Sequence, residues 1–297
     1  MTLIYHGIPA VDDSNFDDVV FERHVRFLKR YFELVSQPDT DRPRQPGAKG
    51  RVLLTFDDGF RNNAEIVAPI LRKYEAPAIF FISSRHATPG KYLWFSYLCA
   101  LERHFPGSAL SFRGELFNMS QSERQRSIQQ LRKRLLGMIP HPAAMYNAIE
   151  DDLPPLEDFV SETDLARSYA GMSAEQVAEL AADPLFAVGV HTIDHPFLTR
   201  CEAAEVSRQI EGNRAWLENA SGRKCDTIAY PNGDYDSNLL NACHQAGFAR
   251  GYVVSRRTVA ASRLELQRIG IYSESTDVLG FKVQWGNALR ALQIQFG

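Results

Sequence analysis

The sequence predicts an α/β fold built on a parallel sheet. Two patterns carry that reading. Short apolar runs that do not alternate recur along the chain, as strands buried on both faces require. Stretches of helical periodicity follow them, the alternation that builds βα units. A third pattern, a long stretch almost free of strand-like runs over residues 85–175, places a helical insertion inside an α/β barrel.

The elements follow in order. Residues 2–6 form a strand ending at His6. Phe21, Val25, Leu28 and Phe32 recur at helical spacing. Residues 37–50, polar and rich in Pro and Gly, form a loop. Val52–Phe56 is a strand stopped by Asp57-Asp58-Gly59, and a helix follows with Ile66, Val67, Ile70, Leu71 and Tyr74 on one face. Ala78–Ile82 is the next strand. After the insertion, 187–190 is a strand ending at His191. Thr199–Glu202 fits a capping box for a helix carrying Val206, Ile210, Asn213 and Leu217. Thr227–Tyr230 is a strand ending at Pro231, and Leu239, Leu240, Cys243 and His244 share a helix that stops at Gly247. Strands at 251–254 and 266–271 complete the series. The insertion has aromatic clusters (Trp94, Phe95, Tyr97), a basic helical stretch from Arg124 to Arg134, and apolar content that looks thin for an independent core. The chain therefore reads as one domain over 1–297 interrupted at 85–175.

Composition excludes several classes. The 297 residues are 44% hydrophobic and 23% charged with a net charge of −3, so no global basic field holds nucleic acid. Four cysteines without a CxxC pair suit a reducing compartment, not a disulfide scaffold. No apolar run reaches the length of a membrane span, and no signal peptide is visible. The expected location is cytoplasmic, with peripheral association at the inner membrane face left open. GxSxG, P-loop and GxGxxG motifs are absent.

Chemistry-bearing residues stand at the ends of the strands, where parallel α/β folds build their sites: His6, Asp57-Asp58, His191 and the 231–234 turn. A carboxylate with two imidazoles is a donor set for a divalent ion, and His191 and His195, four apart, could aim at one ion. Two adjacent carboxylates invite a division of labour, one as ligand and one free as general base.

These residues resemble the signatures of the polysaccharide deacetylase (NodB-homology, carbohydrate esterase) superfamily. Thr55-Phe56-Asp57-Asp58-Gly59 is similar to its first motif, and His191-Thr192-Ile193-Asp194-His195 to its second. Ala229-Tyr230-Pro231-Asn232-Gly233 resembles the third. The resemblance covers 2–83 and about 180–275. It implies a distorted, partly open (β/α) barrel of about seven strands. Asp58, His191 and His195 would hold one divalent ion, zinc first, with cobalt, iron, manganese or nickel suiting the same donors. Asp57 would be the general base, and the Asn232 N–H, with Tyr230 and Pro231 beside it, would face substrate and oxyanion. Ala229 stands where many members carry an Arg, and Arg268 is the substitute for holding Asp57. No late Leu-x-His motif is present, so His6 becomes the general acid, as in a subgroup whose acid motif is displaced to the N-terminus. The implied activity is removal of an N-acetyl group from an amino sugar in surface or exopolysaccharide biosynthesis. The partner would be a sugar, glycan, or lipid-linked or nucleotide-sugar precursor. A deformylase or amidase, or a silent carbohydrate-binding protein, are the alternatives. Oligomeric state is not read from the sequence.

Overall fold

The computed structural model describes residues 1–9, 16–43, 45–254 and 262–284. In chain order, β1 (Thr2–Tyr5), α1 (Asp18–Tyr31), β2 (Glu33–Leu34) and β3 (Arg51–Phe56) come first. A π-turn (Asn63–Val67) leads into α2 (Ala68–Lys73), then β4 (Ala78–Ile82). The insertion contains α3 (Trp94–His104), β5 (Ala109–Phe112), β6 (Glu115–Asn118), α4 (Arg124–Gly137), α5 (Pro142–Asp152) and the single turn α6 (Glu162–Asp164). α7 (Ala174–Ala182), β7 (Phe186–Val190), α8 (Ala203–Ser221), β8 (Thr227–Ala229), α9 (Ser237–Gln245), β9 (Arg250–Val253) and β10 (Leu266–Gly270) follow.

Seven parallel strands form a ring in the order β1-β10-β9-β8-β7-β4-β3. β1 pairs with both β10 and β3, so the barrel is closed where the sequence reading expected it partly open. The closing strand is the first in sequence, so its neighbours lie far along the chain and the periodicity alone does not reveal the closure. The thinnest seam is β7–β8, held in register at Val190 and Ile228. The short β2 adds to the outer flank of β3.

Side-chain alternation divides the barrel into two faces. Leu54, Phe56, Phe80, Ile82, Val190, Ile228 and Val253 point outward, into the core shared with the helices. Leu53, Ile79, Phe81, Ala229 and Tyr252 point inward and fill the lumen. Large residues face small ones there: a Cβ on Gly189 would come within 2.6 Å of the Phe81 ring. That complementary packing makes the barrel a filled support for what stands on its rim.

The insertion departs from the expectation in two ways. It contains an antiparallel hairpin, β5–β6, around a turn with Arg113 and Gly114 at positive φ. Its apolar content is not thin: Trp94, Leu101, Leu131, Leu135, Met145 and Tyr146 form a buried cluster of their own. The dispersed spacing of these residues hid the cluster. The segment returns beside its own exit, with Arg61 N–H donating to Ala170 O (2.8 Å) and Met172 N–H to Gly59 O (2.9 Å). At that crossing a Cβ on Gly171 would lie 1.8 Å from the His86 carbonyl oxygen. Gly171→Ala is therefore expected to cost about 1–3 kcal/mol by forcing the two backbones apart. A lowered urea midpoint at unchanged m-value checks this.

Thr199 is not a helix cap: its hydroxyl bonds Asp234, and α8 starts from Glu202 without a side-chain cap. The loop expected over 37–50, of which residue 44 lies outside the described residues, holds one 3₁₀ turn at Pro38–Asp41. Cys225 and Cys243 are buried, and Cys99 and Cys201 partly so. No helix among the described residues is long and apolar enough to cross a membrane.

Candidate metal centre and active site

The strand ends open into one cavity of about 700 Å³. His6 follows β1, Asp57 and Asp58 follow β3, His191 follows β7, Asn232 follows β8 and Tyr272 follows β10; all line it. Inward parity explains the rim. His6, Asp57, His191 and Arg268 fall on the lumen side of their strands or at the next inward position.

Asp58 Oδ1 lies 3.3 Å from Nε2 of both His191 and His195, whose rings are 4.9 Å apart. All three side chains are buried. Asp58 Oδ1 and His195 Nδ1 have no aligned hydrogen-bond partner among the described residues. A buried carboxylate oxygen converging with two imidazole nitrogens but bonded to neither fits a cation between them. Among the described residues these three are the group of His, Cys, Asp and Glu close enough to share an ion. The second imidazole nitrogen of His191 donates to Ala229 O (2.8 Å), which points Nε2 at Asp58, as an outer-shell partner of a ligand histidine should.

The backbone is bent to make this arrangement. Six non-glycine residues among those described have positive φ, and four of them are Asp58, Thr192, His195 and Asn232. For β-branched Thr192 that conformation is costly, and such strain concentrates at functional sites. Side chains from α8 hold the strained loop. Asn213 Oδ1 accepts from the His191 N–H, and Gln209 Oε1 accepts from Ile193 and Asp194 N–H groups (3.0 and 2.9 Å). The Thr192 hydroxyl oxygen accepts from the His195 N–H (3.0 Å). Asp194 is tied down by Arg85 (2.9 Å), Arg208 (2.9 Å) and Gln209 (2.7 Å). The sequence reading placed Asn213 in an apolar stripe. Its signal was that polarity on an otherwise buried face.

Asp57 stands beside the ligand group, 3.8 Å from His191 Nε2. Arg268 from β10 grips it with two bonds, Nη1 to Oδ1 (2.6 Å) and Nη2 to Oδ2 (2.8 Å), and reaches Thr55 Oγ1 (3.3 Å). Arg268 is wholly buried, its guanidinium 5.5 Å from the Phe81 ring. Ala229 leaves the neighbouring lumen position small. The cation thus reaches Asp57 from a different strand than in the motif the sequence resembles. Burial works against ionising Asp57, but Arg268 and then His191 outweigh it and hold its pKa below the ordinary carboxylate value. Asp58 is held lower still: burial opposes its charge, and the two imidazoles overcome it. Burial also opposes charge on both histidines. Asp57 and Asp58 overturn this for His191, whose pKa is raised, while His195 stays lowered.

Arg268→Gln removes the cation and leaves burial to push the Asp57 pKa up. If Asp57 serves as a general base it must be ionised to act, and the acidic limb of the kcat/KM profile is then expected to move to higher pH. Breaking the buried pair should also cost about 3–5 kcal/mol. A pH–rate profile beside a denaturation curve checks both.

His6 is half-buried on the cavity wall, its ring stacked on Tyr272 (6.1 Å, 22°). It stands near enough that its charged form favours both carboxylates. Asn232 reaches the cavity with its backbone left-handed (φ 59°). Tyr230 and Pro231 do not line it, against expectation. Outward parity sends the Tyr230 ring into the outer core, where its hydroxyl donates to Leu264 O (3.0 Å). The sequence reading missed Tyr272, Phe16 and Phe60 on the cavity wall, which no motif marks. Trp94 and Phe95 pack in the insertion and also line the cavity, with Phe95 4.9 Å from the His195 ring. His86, without ligand spacing, faces two carbonyls, Asp58 O (3.2 Å) and Tyr169 O (2.8 Å).

The family profile described as polysaccharide deacetylase matches residues 44–95 and 159–251, flanking much of the insertion. A comparison with curated proteins finds no sequence match. Among solved structures, IcaB from Ammonifex degensii is 17% identical with a TM-score of 0.57, over 97% of this chain and 96% of that one. The Streptococcus pyogenes deacetylase PplD in complex with acetate is 17% identical, TM-score 0.55, covering 91% of each chain. A de-N-acetylase from Aggregatibacter actinomycetemcomitans is 14% identical, TM-score 0.56, over 94% of this chain and 98% of that one. At these identities the likeness is one of fold. With the matched profile, the closed seven-stranded barrel and the buried Asp-His-His group on its rim, the chain belongs to the polysaccharide deacetylase family.

Proposed function

We infer that this chain is a divalent-metal-dependent hydrolase that removes an N-acetyl group from an amino-sugar unit, in the making of a surface or extracellular polysaccharide. One observation carries the reading. A carboxylate gripped by a buried arginine stands beside a three-residue metal group at the floor of one cavity. The names of the structural neighbours, two deacetylases and an IcaB, support it.

Asp58, His191 and His195 would hold the ion, zinc first among ions that suit N/O donors. When bound, the ion polarises a carbonyl and makes a water molecule more acidic. Asp57, fixed in its ionised form by Arg268, accepts the proton of the attacking water. The Asn232 N–H, at the cavity end of β8, donates to the carbonyl oxygen as it gains charge. His6 delivers a proton to the departing sugar amine. An imidazole suits that step because it titrates near neutral pH. This assignment gives the strand end of β1 the role of the displaced acid motif.

The test is acetate release from N-acetylglucosamine oligomers and nucleotide sugars, with chelator and with added zinc or cobalt. Acetate that disappears on chelation and returns with metal supports the reading; no acetate from these substrates, with metal-dependent formate from their N-formyl counterparts, supports a deformylase. His6→Ala is expected to lower kcat on these amides by about 10²–10⁴-fold. The loss should be far smaller on 4-nitrophenyl acetate, whose leaving group departs unprotonated. Equal losses on both would remove His6 from the acid role.

A further inference from the structure

We propose that Arg132 forms an anion subsite on the cavity wall, and that the substrate is an acetamido sugar bearing a phosphate or carboxylate. This rests on the deacetylase reading and narrows its substrate.

The insertion supplies one wall of the cavity through Trp94, Phe95, Cys99 and Arg132. The other arginines of α4 that the contacts describe are engaged elsewhere. Arg124 donates to Met119 O (3.1 Å) and Glu102 O (3.4 Å). Arg126 pairs with Glu123 (3.7 Å), and Arg134 makes two bonds to Glu115 (2.8 and 3.0 Å). Arg132 differs. It is exposed, it lines the cavity, and among the described residues it has no ion pair and no hydrogen bond. Its guanidinium lies 5.8 Å from the Trp94 ring, within the range of a cation–π contact.

That contact fixes where the charge sits. The buried face of α4 is Ser127, Ile128, Leu131 and Leu135, which puts position 132 on the flank of the stripe, beside the cavity. Trp94 is buried, and its indole N–H donates to the His195 carbonyl (3.3 Å). Trp94 meets Phe95 at 5.7 Å, and Phe95 meets His195 at 4.9 Å. A continuous line of ring contacts therefore leads from Arg132 to the metal group. A sugar whose acetamide sits at that group would extend along this aromatic wall toward Arg132.

The charges in the cavity make the preference one-sided. Among the described residues, its carboxylates are Asp57 and Asp58. Asp57 is already neutralised by Arg268, and Asp58 faces two imidazoles. Among the described residues, no acidic side chain is left there for Arg132. A planar guanidinium offers paired donors that match a phosphate or carboxylate geometrically.

Three probes separate the possibilities: a neutral N-acetylglucosamine tetramer, the same oligomer with a reducing-end phosphate, and an oligomer alternating N-acetylglucosamine with glucuronate. KM and kcat are measured for acetate release, and binding is measured by equilibrium dialysis under chelation. At least one anionic probe should bind about tenfold tighter than the neutral one, with KM lowered in proportion, an advantage that shrinks as salt rises. The arm showing it identifies phosphate or carboxylate. Arg132→Ala should abolish that advantage without changing kcat or neutral-probe binding, while Arg126→Ala should change neither. Equal binding of all three probes to the wild-type protein, or equal weakening of all three by Arg132→Ala, overturns the subsite. If no probe releases acetate but the Arg132-dependent binding persists, the deacetylase reading fails and the subsite stands.

Discussion

Asp57→Asn is expected to lower kcat by about 10²–10⁴-fold while the protein still takes up its ion. The geometry separates the two carboxylates that adjoin in sequence. Asp58 turns through a left-handed backbone to face both imidazoles, whereas Asp57 keeps the inward parity of β3 and is clasped by Arg268. Asparagine is nearly isosteric but has no basic oxygen pair to accept a proton. It also leaves Arg268 buried opposite a neutral amide, so a stability loss of up to about 3–5 kcal/mol should accompany the lost turnover. Denaturation curves give the temperature at which folded variant and wild type are compared. Metal content by elemental analysis and acetate release at that temperature then check the assignment. Near-wild-type turnover would remove Asp57 from the base role.

Asp58→Ala and His191→Ala should act in the opposite order, losing the ion first and turnover as a result. Each would contribute one of three donors, so metal affinity is expected to fall by at least about 100-fold, beyond the loss typical of an outer-shell change. Removing Asp58 also removes a buried charge that the two imidazoles favour. Its pKa is depressed in the folded chain, so its carboxylate stabilises the metal-free protein above the unfolded carboxylate range, and that contribution is lost as pH falls through the folded value. Asp58→Ala should therefore flatten the acid side of the stability–pH curve of the metal-free protein. Competition with a chromogenic chelator measures the first effect, and urea midpoints at several pH values the second.

The barrel strands and the ligand group are legible in the sequence because each rests on local information. Buried parallel strands read as unbroken apolar runs; Asp57-Asp58 and His191 each follow one directly, and His195 stands four residues beyond His191. Arg268 was found by asking what could replace an arginine at Ala229, a question that only the motif resemblance raises. What was not legible depends on distant contacts. Closure through β1 joins the first strand to β10, and the core of the insertion is assembled from dispersed residues. Tyr230 was misplaced for a simpler reason. On a strand, one residue of offset decides inside from outside, and Ala229 holds the inward place. Gln209 and Asn213 act on the 191–195 loop across fifteen or more residues of chain, and their spacing matches no metal motif.

The most direct test of the account is a zinc titration of chelator-stripped protein, followed by acetate release from an N-acetylglucosamine oligomer. The account predicts activity that rises in proportion to bound zinc, saturates at one ion per chain, and is not recovered by Asp58→Ala at the same zinc concentration. Acetate release that survives chelation unchanged, or that Asp58→Ala supports as well as wild type, would contradict it.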